Sequence, residues 1–473
     1  MRERGREEDG EIKKNIRNEQ VRRNLPNNNS KNILIAIIVL IIAIILYKLI
    51  MLFKSGADKT DHRFIQKSEI NKIKEIILHI PERELFMSIL HPKSALYDNI
   101  TNDEGVKECF NNLLNILKEK KIKVTTVSEA LKKNITELTN LAKESLTYDL
   151  DKNIQNSEII DERVKNYVSE EYKTKNIEIL TADQLVNVLL TNPTYIIRPV
   201  ETNNYIEPSL ISFKPLGNLM FCRDQQITTS KGVVIGRMQA TQRNGELKIM
   251  KQVFKNLNIN VEQLTEEYNK TAYLEGGDFF AINKDLSLLG VGLRTTIKGA
   301  EFLMEKDLLG TRFFGIIYDE TDLDIDRSHL DTFFNVLKDK LVILLDFSEV
   351  QQNYKKKIER KVYLYDNQAT MEIESDNKNV PNKCGNYKLI EIYPKFHNFL
   401  EKKGFKIVKF GKKEQEEQII NFLNIGDNTV ISNSKELEKK VKNYGIEVIY
   451  LDFEPIIKMG GSIRSITQVS RYD

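Results

Sequence analysis

The sequence predicts an α/β domain behind a single apolar helix. From residue 67 to the end, strand-like apolar runs alternate with amphipathic helical ones, the pattern of mixed helix and sheet layers. Hydrophobic residues make up 41% and charged residues 29% of the 473, a balance that builds a core rather than a disordered chain. One apolar run near the start, interrupted by a single lysine, is long enough to cross a bilayer. The formal net charge of +3 gives no dominant basic field, so nucleic acid is not an expected partner.

Residues 1–32 are polar and charge-rich and have nothing to bury, so they read as a disordered tail. ILIAIIVLIIAIILY follows at 33–47, then Lys48, then LIMLF to Phe53, 21 residues in all. At about 1.5 Å per residue that run spans a hydrocarbon core of about 30 Å. The competing reading is a cleaved signal, because Ser55-Gly56-Ala57 are small. The leading tail is long for one, and the apolar run exceeds the usual roughly 7–15 residues. The expectation is a retained transmembrane helix at 33–53, a single-pass membrane location and a stalk at 54–66. Arg17, Arg22, Arg23 and Lys31 on one side balance Lys54, Lys59, Arg63 and Lys67 on the other, so orientation is open.

The domain then runs from 67 to 473. SEINKIKEIILHIP (68–81) predicts an entering strand around Ile76-Ile77-Leu78, and VKECFNNLLNILKEKKI (106–122) has helical apolar spacing. Residues 127–180 are mostly charged helix formers and read as a helical insertion. GVVIGRM (232–238), FFGIIYD (313–319), LVILLDF (341–347), NTVISN (428–433) and IEVIYLDF (446–453) read as strands. FFAINKDLSLLGVG (279–292) reads as two strands around the turn Asn283-Lys284-Asp285. FNVLKDKL (334–341) and ELEKKVKNYG (436–445) read as amphipathic helices, and 366–384 as a second insertion. Periodicity alone does not separate a doubly wound sheet from a propeller.

Cys109, Cys222 and Cys384 are far apart and odd in number, which argues against a disulfide scaffold. The five histidines form no metal-ligand spacing and no phosphate-binding loop is present, so neither metal nor cofactor is expected.

Four islands carry chemistry: 218–246 with FCRDQ and QRNGE, 273–296 with LEGGD and GLRTT, SHLDTFF at 328–334, and MGGSIRSITQVSR at 459–471. Asp224, Glu275, Asp278 and Asp331 are acids set among apolar or glycine residues. His329 and Asp331, two apart, would share one side of a strand. Such acids suit a planar guanidinium, whose five donors form a fixed fork. Arg243 and Arg294 would suit a carboxylate at the ligand's other end. Each island alone also has a plainer reading: a surface pair or cap, a turn, or a satisfied core histidine.

Together and in this order, the islands resemble the arginine deiminase family and its guanidino-modifying relatives over roughly residues 68–473. The resemblance implies a five-bladed α/β propeller of pseudo-fivefold ββαβ modules with the site in its channel. It implies that Asp224 and Asp331 grip the guanidinium and that Glu275 orients His329. His329 would act as general acid, then general base. Arg243 and Arg294 would bind the amino-acid carboxylate, while Asp278 contacts the amine or fixes its loop. Gly460 and Gly461 would line the ligand's place.

The sequence departs from that pattern at the nucleophile. The family's cysteine is Ser465 here, and no cysteine follows Cys384. A hydroxyl needs a strong base where a thiol does not, although His329 with Glu275 would imitate a serine–histidine–acid arrangement. Gly245 also stands where bacterial deiminases commonly carry arginine. Three readings follow: hydrolysis of L-arginine to citrulline and ammonia, impaired by Ser465; a membrane-tethered, arginine-binding pseudoenzyme or scaffold; and an amidinotransferase-like or methylarginine-processing enzyme. Expected partners are a small guanidino compound such as L-arginine, the membrane, and, as an open alternative, a second copy of the chain.

Overall fold

The computed structural model describes residues 35, 37–40, 64–153, 162–200, 205–319, 321–322, 324–350 and 360–472. The chain divides into two units, residues 1–62 and 63–473. In the first, Ile35 and Ile37–Leu40 are helical, and the rest of the apolar run 33–53 lies outside the described residues, as do the tail and most of the stalk. The expected membrane location is not upheld. Among the described residues, no helix is long and apolar enough to cross a membrane.

The second unit is α/β, and one arrangement recurs through it: an antiparallel pair, a helix, and a third strand parallel to its neighbour. Gln226–Thr229, Gly232–Ile235 and Val261–Gln263 form one such group around the helix Asn244–Asn256. Phe279–Asn283, Leu286–Val291 and Phe313–Tyr318 form the next around Ile297–Glu305. Phe334–Lys338, Leu341–Leu345 and Lys406–Phe410 follow, then Leu423–Gly426, Thr429–Ser432 and Glu447–Tyr450. The group at the domain's entry is built from both ends of the unit. Ile73–Leu78 runs parallel to Lys123–Thr126 and antiparallel to Gln468–Tyr472. Its central strand ends in the apolar run Ile76-Ile77-Leu78, all three fully buried because both faces are covered there.

The helix of that group, Asp103–Glu119, shows how local sequence sets the elements. Asn102 caps it, its side-chain oxygen accepting from Gly105 N at 2.7 Å, and Asp103 and Glu104 sit against the positive end of the dipole. Val106, Phe110, Leu113 and Leu117 recur every three or four residues and are buried. Each such side chain contributes on the order of 1.5–3 kcal/mol by leaving water.

Phe334–Lys338 corrects the helix expected for 334–341. It is a strand, paired antiparallel with Leu341–Leu345. The turn between them is made by Asp339 and Lys340, the latter at φ 54. The strand's two faces are both buried, so its apolar spacing carried no alternation to read. Between the entry group and the group that begins at Gln226, residues 127–213 hold the helices Ile135–Ser145 and Ala182–Thr191. They also hold a separate sheet, Thr147–Leu150, Pro193–Pro199 and Ile206–Phe213.

Candidate functional site

The segment with Asp224 follows a 3₁₀ turn, Gly217–Met220, and is clamped to the Glu275-Gly276-Gly277-Asp278 stretch. Gly276 N donates to Asp224 O at 2.9 Å. A Cβ on Gly276 would stand 1.9 Å from Arg223 O, and one on Gly277 would stand 2.7 Å from His329 Cγ. These glycines are therefore required by close approach, which brings the Glu275 carboxylate against the imidazole of His329. His329 precedes a 3₁₀ turn, Leu330–Thr332. It and Asp331 do not share a strand face, because the backbone coils between them before the strand Phe334–Lys338 begins.

His329 Nε2 and Glu275 Oε2 lie 2.8 Å apart, and Glu275 Oε1 accepts from Gln239 N at 2.9 Å. Burial pushes the Glu275 carboxyl up, but the hydrogen bond and charge of His329 outweigh it and hold the group down at about 2. Burial works against the His329 cation too, yet the charge of Asp224, the bond to Glu275 and the charge of Asp278 raise the imidazole to about 9. His329 is therefore an imidazolium at neutral pH. Asp278 accepts from Leu330 N at 2.9 Å, and burial, opposed by His329, pushes its carboxyl up to about 7.

Both acids expected to grip a guanidinium already hold one of the chain's own. Arg243 Nη1 donates to Asp224 Oδ2 at 2.8 Å, while its Nε and Nη2 donate to Glu246 at 2.9–3.2 Å. Arg243 Nη2 also donates to Asn218 O at 3.2 Å. Arg464 Nη1 donates to Asp331 Oδ2 at 2.8 Å, and its Nη2 to Glu69 Oε1 at 3.2 Å and Phe279 O at 3.1 Å. Its Cζ lies 4.0 Å from the centre of the Phe280 ring. Asp224 Oδ1 has no hydrogen bond among the described residues, and Asp331 Oδ1 is buried without a partner.

Ser465 is buried beside them. Its Oγ and its backbone N both donate to Asn421 Oδ1 at 3.1 Å, and its carbonyl accepts from Arg223 N at 3.0 Å. Gly461 is packed so closely that a Cβ would stand 2.5 Å from the Phe221 ring. Cys222 is fully buried, its Sγ donating to Leu219 O, and burial pushes its thiol far up. It is a packing residue rather than a nucleophile.

A cavity of about 50 Å³ gathers Asp224, Arg243, Arg294, His329, Gly460 and Ser465 on its wall, with Asp98 and Asp326 among the other lining residues. Glu275, Asp278, Asp331 and Gly461 are buried but do not line it. Arg294 Nε is buried and without a partner among the described residues. A larger cavity of about 490 Å³, apolar and walled by Tyr148, Tyr172 and Tyr195, is lined by no charged group among the described residues. Arg464, Glu69, Asn421 and Asp98 are site residues that sequence reasoning missed. Arg464 had a signal, a cation between Ile463 and Ile466; Asp98, in a polar loop, had none.

The arginine deiminase family model matches residues 94–471 of the chain. The chain belongs to the arginine deiminase family. The arginine deiminase of Borreliella burgdorferi (strain ZS7) is 25% identical over 244 residues, 50% of this chain and 57% of that protein. Arginine deiminase 1 of Staphylococcus epidermidis is 26% identical over 287 residues, 57% of this chain and 66% of that protein. The chain thus spans between about half and two thirds of the length of these deiminases. A dimethylarginine dimethylaminohydrolase from Pseudomonas aeruginosa, solved with citrulline, is 15% identical at a TM-score of 0.44, covering 84% of this chain and 98% of that one.

Proposed function

We propose that residues 67–473, with insertions at 127–180 and 366–384, form a deiminase-like propeller that binds a guanidino amino acid such as L-arginine and hydrolyses it slowly or not at all. The observation that carries this reading is the Ser465 hydroxyl, which is tied to Asn421 and makes no bond to His329. A serine nucleophile must surrender its proton to a base at the moment of attack. His329 already carries its proton at neutral pH, so it serves as an acid and not as that base. A thiol in the same place would ionise beside this imidazolium without such help.

Binding is supported from the other side. Asp224 keeps one carboxylate oxygen free of Arg243, and His329, Arg294 and Ser465 share its cavity. A ligand guanidinium would lie against that oxygen, with its amino-acid end toward Arg294. The full chain titrated with L-arginine by calorimetry should bind it while releasing no citrulline above background. Ser465→Cys should raise citrulline release at least about a hundredfold, a drop of roughly 2.7 kcal/mol in the barrier. Efficient turnover by the unaltered chain, abolished in Ser465→Ala, would replace this reading with a serine hydrolase.

A further inference from the structure

Asp98 is a carboxylate on the cavity wall with no bonded partner among the described residues. It lies in the loop after the 3₁₀ turn Pro92–Ala95, on the turn's far side from the His91 cap. The loop is fixed at two points: Tyr97 is buried with its N donating to Pro92 O at 2.9 Å, and Asn99 N donates to Lys458 O at 2.7 Å. These anchors set the Asp98 side chain over Gly460. That glycine has φ +90, and a Cβ there would stand 2.7 Å from Asp98 Oδ2. Among the described residues the Asp98 carboxylate makes no hydrogen bond and no ion pair, although it is half-buried and feels the charges of Asp326, Lys93 and Arg294. Asp326 lines the same cavity and adds a second negative charge. Arg294, across this mouth, presents a buried Nε that also lacks a partner.

An open acid and an open guanidinium at one mouth match the two charges of an α-amino acid. We infer that Asp98 reads the ligand's α-ammonium group, so that the site selects a free guanidino amino acid over the same compound without its amine. The inference rests on the guanidino-binding reading above. Arg294 takes the neighbouring carboxylate, and Gly460 keeps the space between backbone and Asp98 clear.

The test is calorimetry on the full chain and on Asp98→Asn, with L-arginine and with 5-guanidinopentanoate, which is arginine lacking only the α-amine. The unaltered chain should bind L-arginine about tenfold more tightly, the worth of one hydrogen bond between charged groups. Asp98→Asn should erase that preference while leaving 5-guanidinopentanoate within about twofold of its original affinity. Asp98→Glu should restore part of the preference. A preference that survives Asp98→Asn, or a variant that weakens both ligands equally, overturns the inference. An unaltered chain that binds both ligands equally defeats only this inference. One that binds neither defeats the guanidino-binding reading beneath it as well.

Discussion

Asp224 and Asp331, both almost inaccessible to water, each hold an arginine of the chain at 2.8 Å, whereas the more exposed Asp98 and Arg294 hold nothing among the described residues. The difference follows burial. Asp224, Asp331, Arg243 and Arg464 are all nearly inaccessible to water, and an unpaired charge there would cost several kcal/mol. Asp98 is only half-buried, so water still reaches its carboxyl. The buried charges are therefore part of what folds the protein, and the more exposed ones are available for the ligand-binding role proposed above.

Removing a buried cation tests that contrast most severely. Arg464→Met should destabilise the chain by about 3–5 kcal/mol in guanidinium denaturation, because Glu69 and Asp331 are left buried and unpaired. Adding Asp331→Asn should recover part of the loss, since the two residues share one network. A loss below about 1 kcal/mol would mean that the pair is not a folding element.

Next in size is the His329–Glu275 pair. The imidazole rises from 6.5 to about 9 on folding, so its contribution is complete below pH 6.5 and disappears as pH climbs through 9. Glu275 falls from 4.5 to about 2, so its contribution is complete above pH 4.5 and disappears as pH drops toward 2. The pair should stabilise the chain by on the order of 3 kcal/mol, undiminished only between these limits. Asp278, pushed up to about 7, loses its own share as pH rises toward that value. Denaturation midpoints across pH, compared with those of His329→Gln, isolate the pair; parallel curves would refute it.

The smallest effect belongs to the mouth. Asp98→Asn should change stability by less than about 0.5 kcal/mol, slightly in the stabilising direction, because burial and Asp326 disfavour the charged carboxyl. A large loss would make Asp98 another structural charge.

This gradient also explains what the sequence disclosed. The motif order exposed the acids, His329 and Ser465, because glycines and acids beside apolar residues stand out locally. Their pairing did not show, since Arg464 meets Glu69 across 395 residues and Arg243 serves Glu246 as well as Asp224. The strand Phe334–Lys338 was misread for a related reason. Its hairpin partner and buried second face are supplied by tertiary packing, which overrides local pattern. The apolar run at 33–53 was persuasive by composition, and composition does not place a chain in a membrane.

The entry sheet has a consequence for synthesis. Ile73–Leu78 gains its second neighbour only when Gln468–Tyr472 has been made. Ser465 stands three residues before that strand. At the usual 5–20 residues per second, the early strand waits roughly 20–80 s on the ribosome with one edge open. The segment that carries Ser465 is thus made just before the strand that covers this edge, and a nascent chain stalled short of Gln468 would expose a bare strand edge to whatever chaperone or neighbouring chain can pair with it.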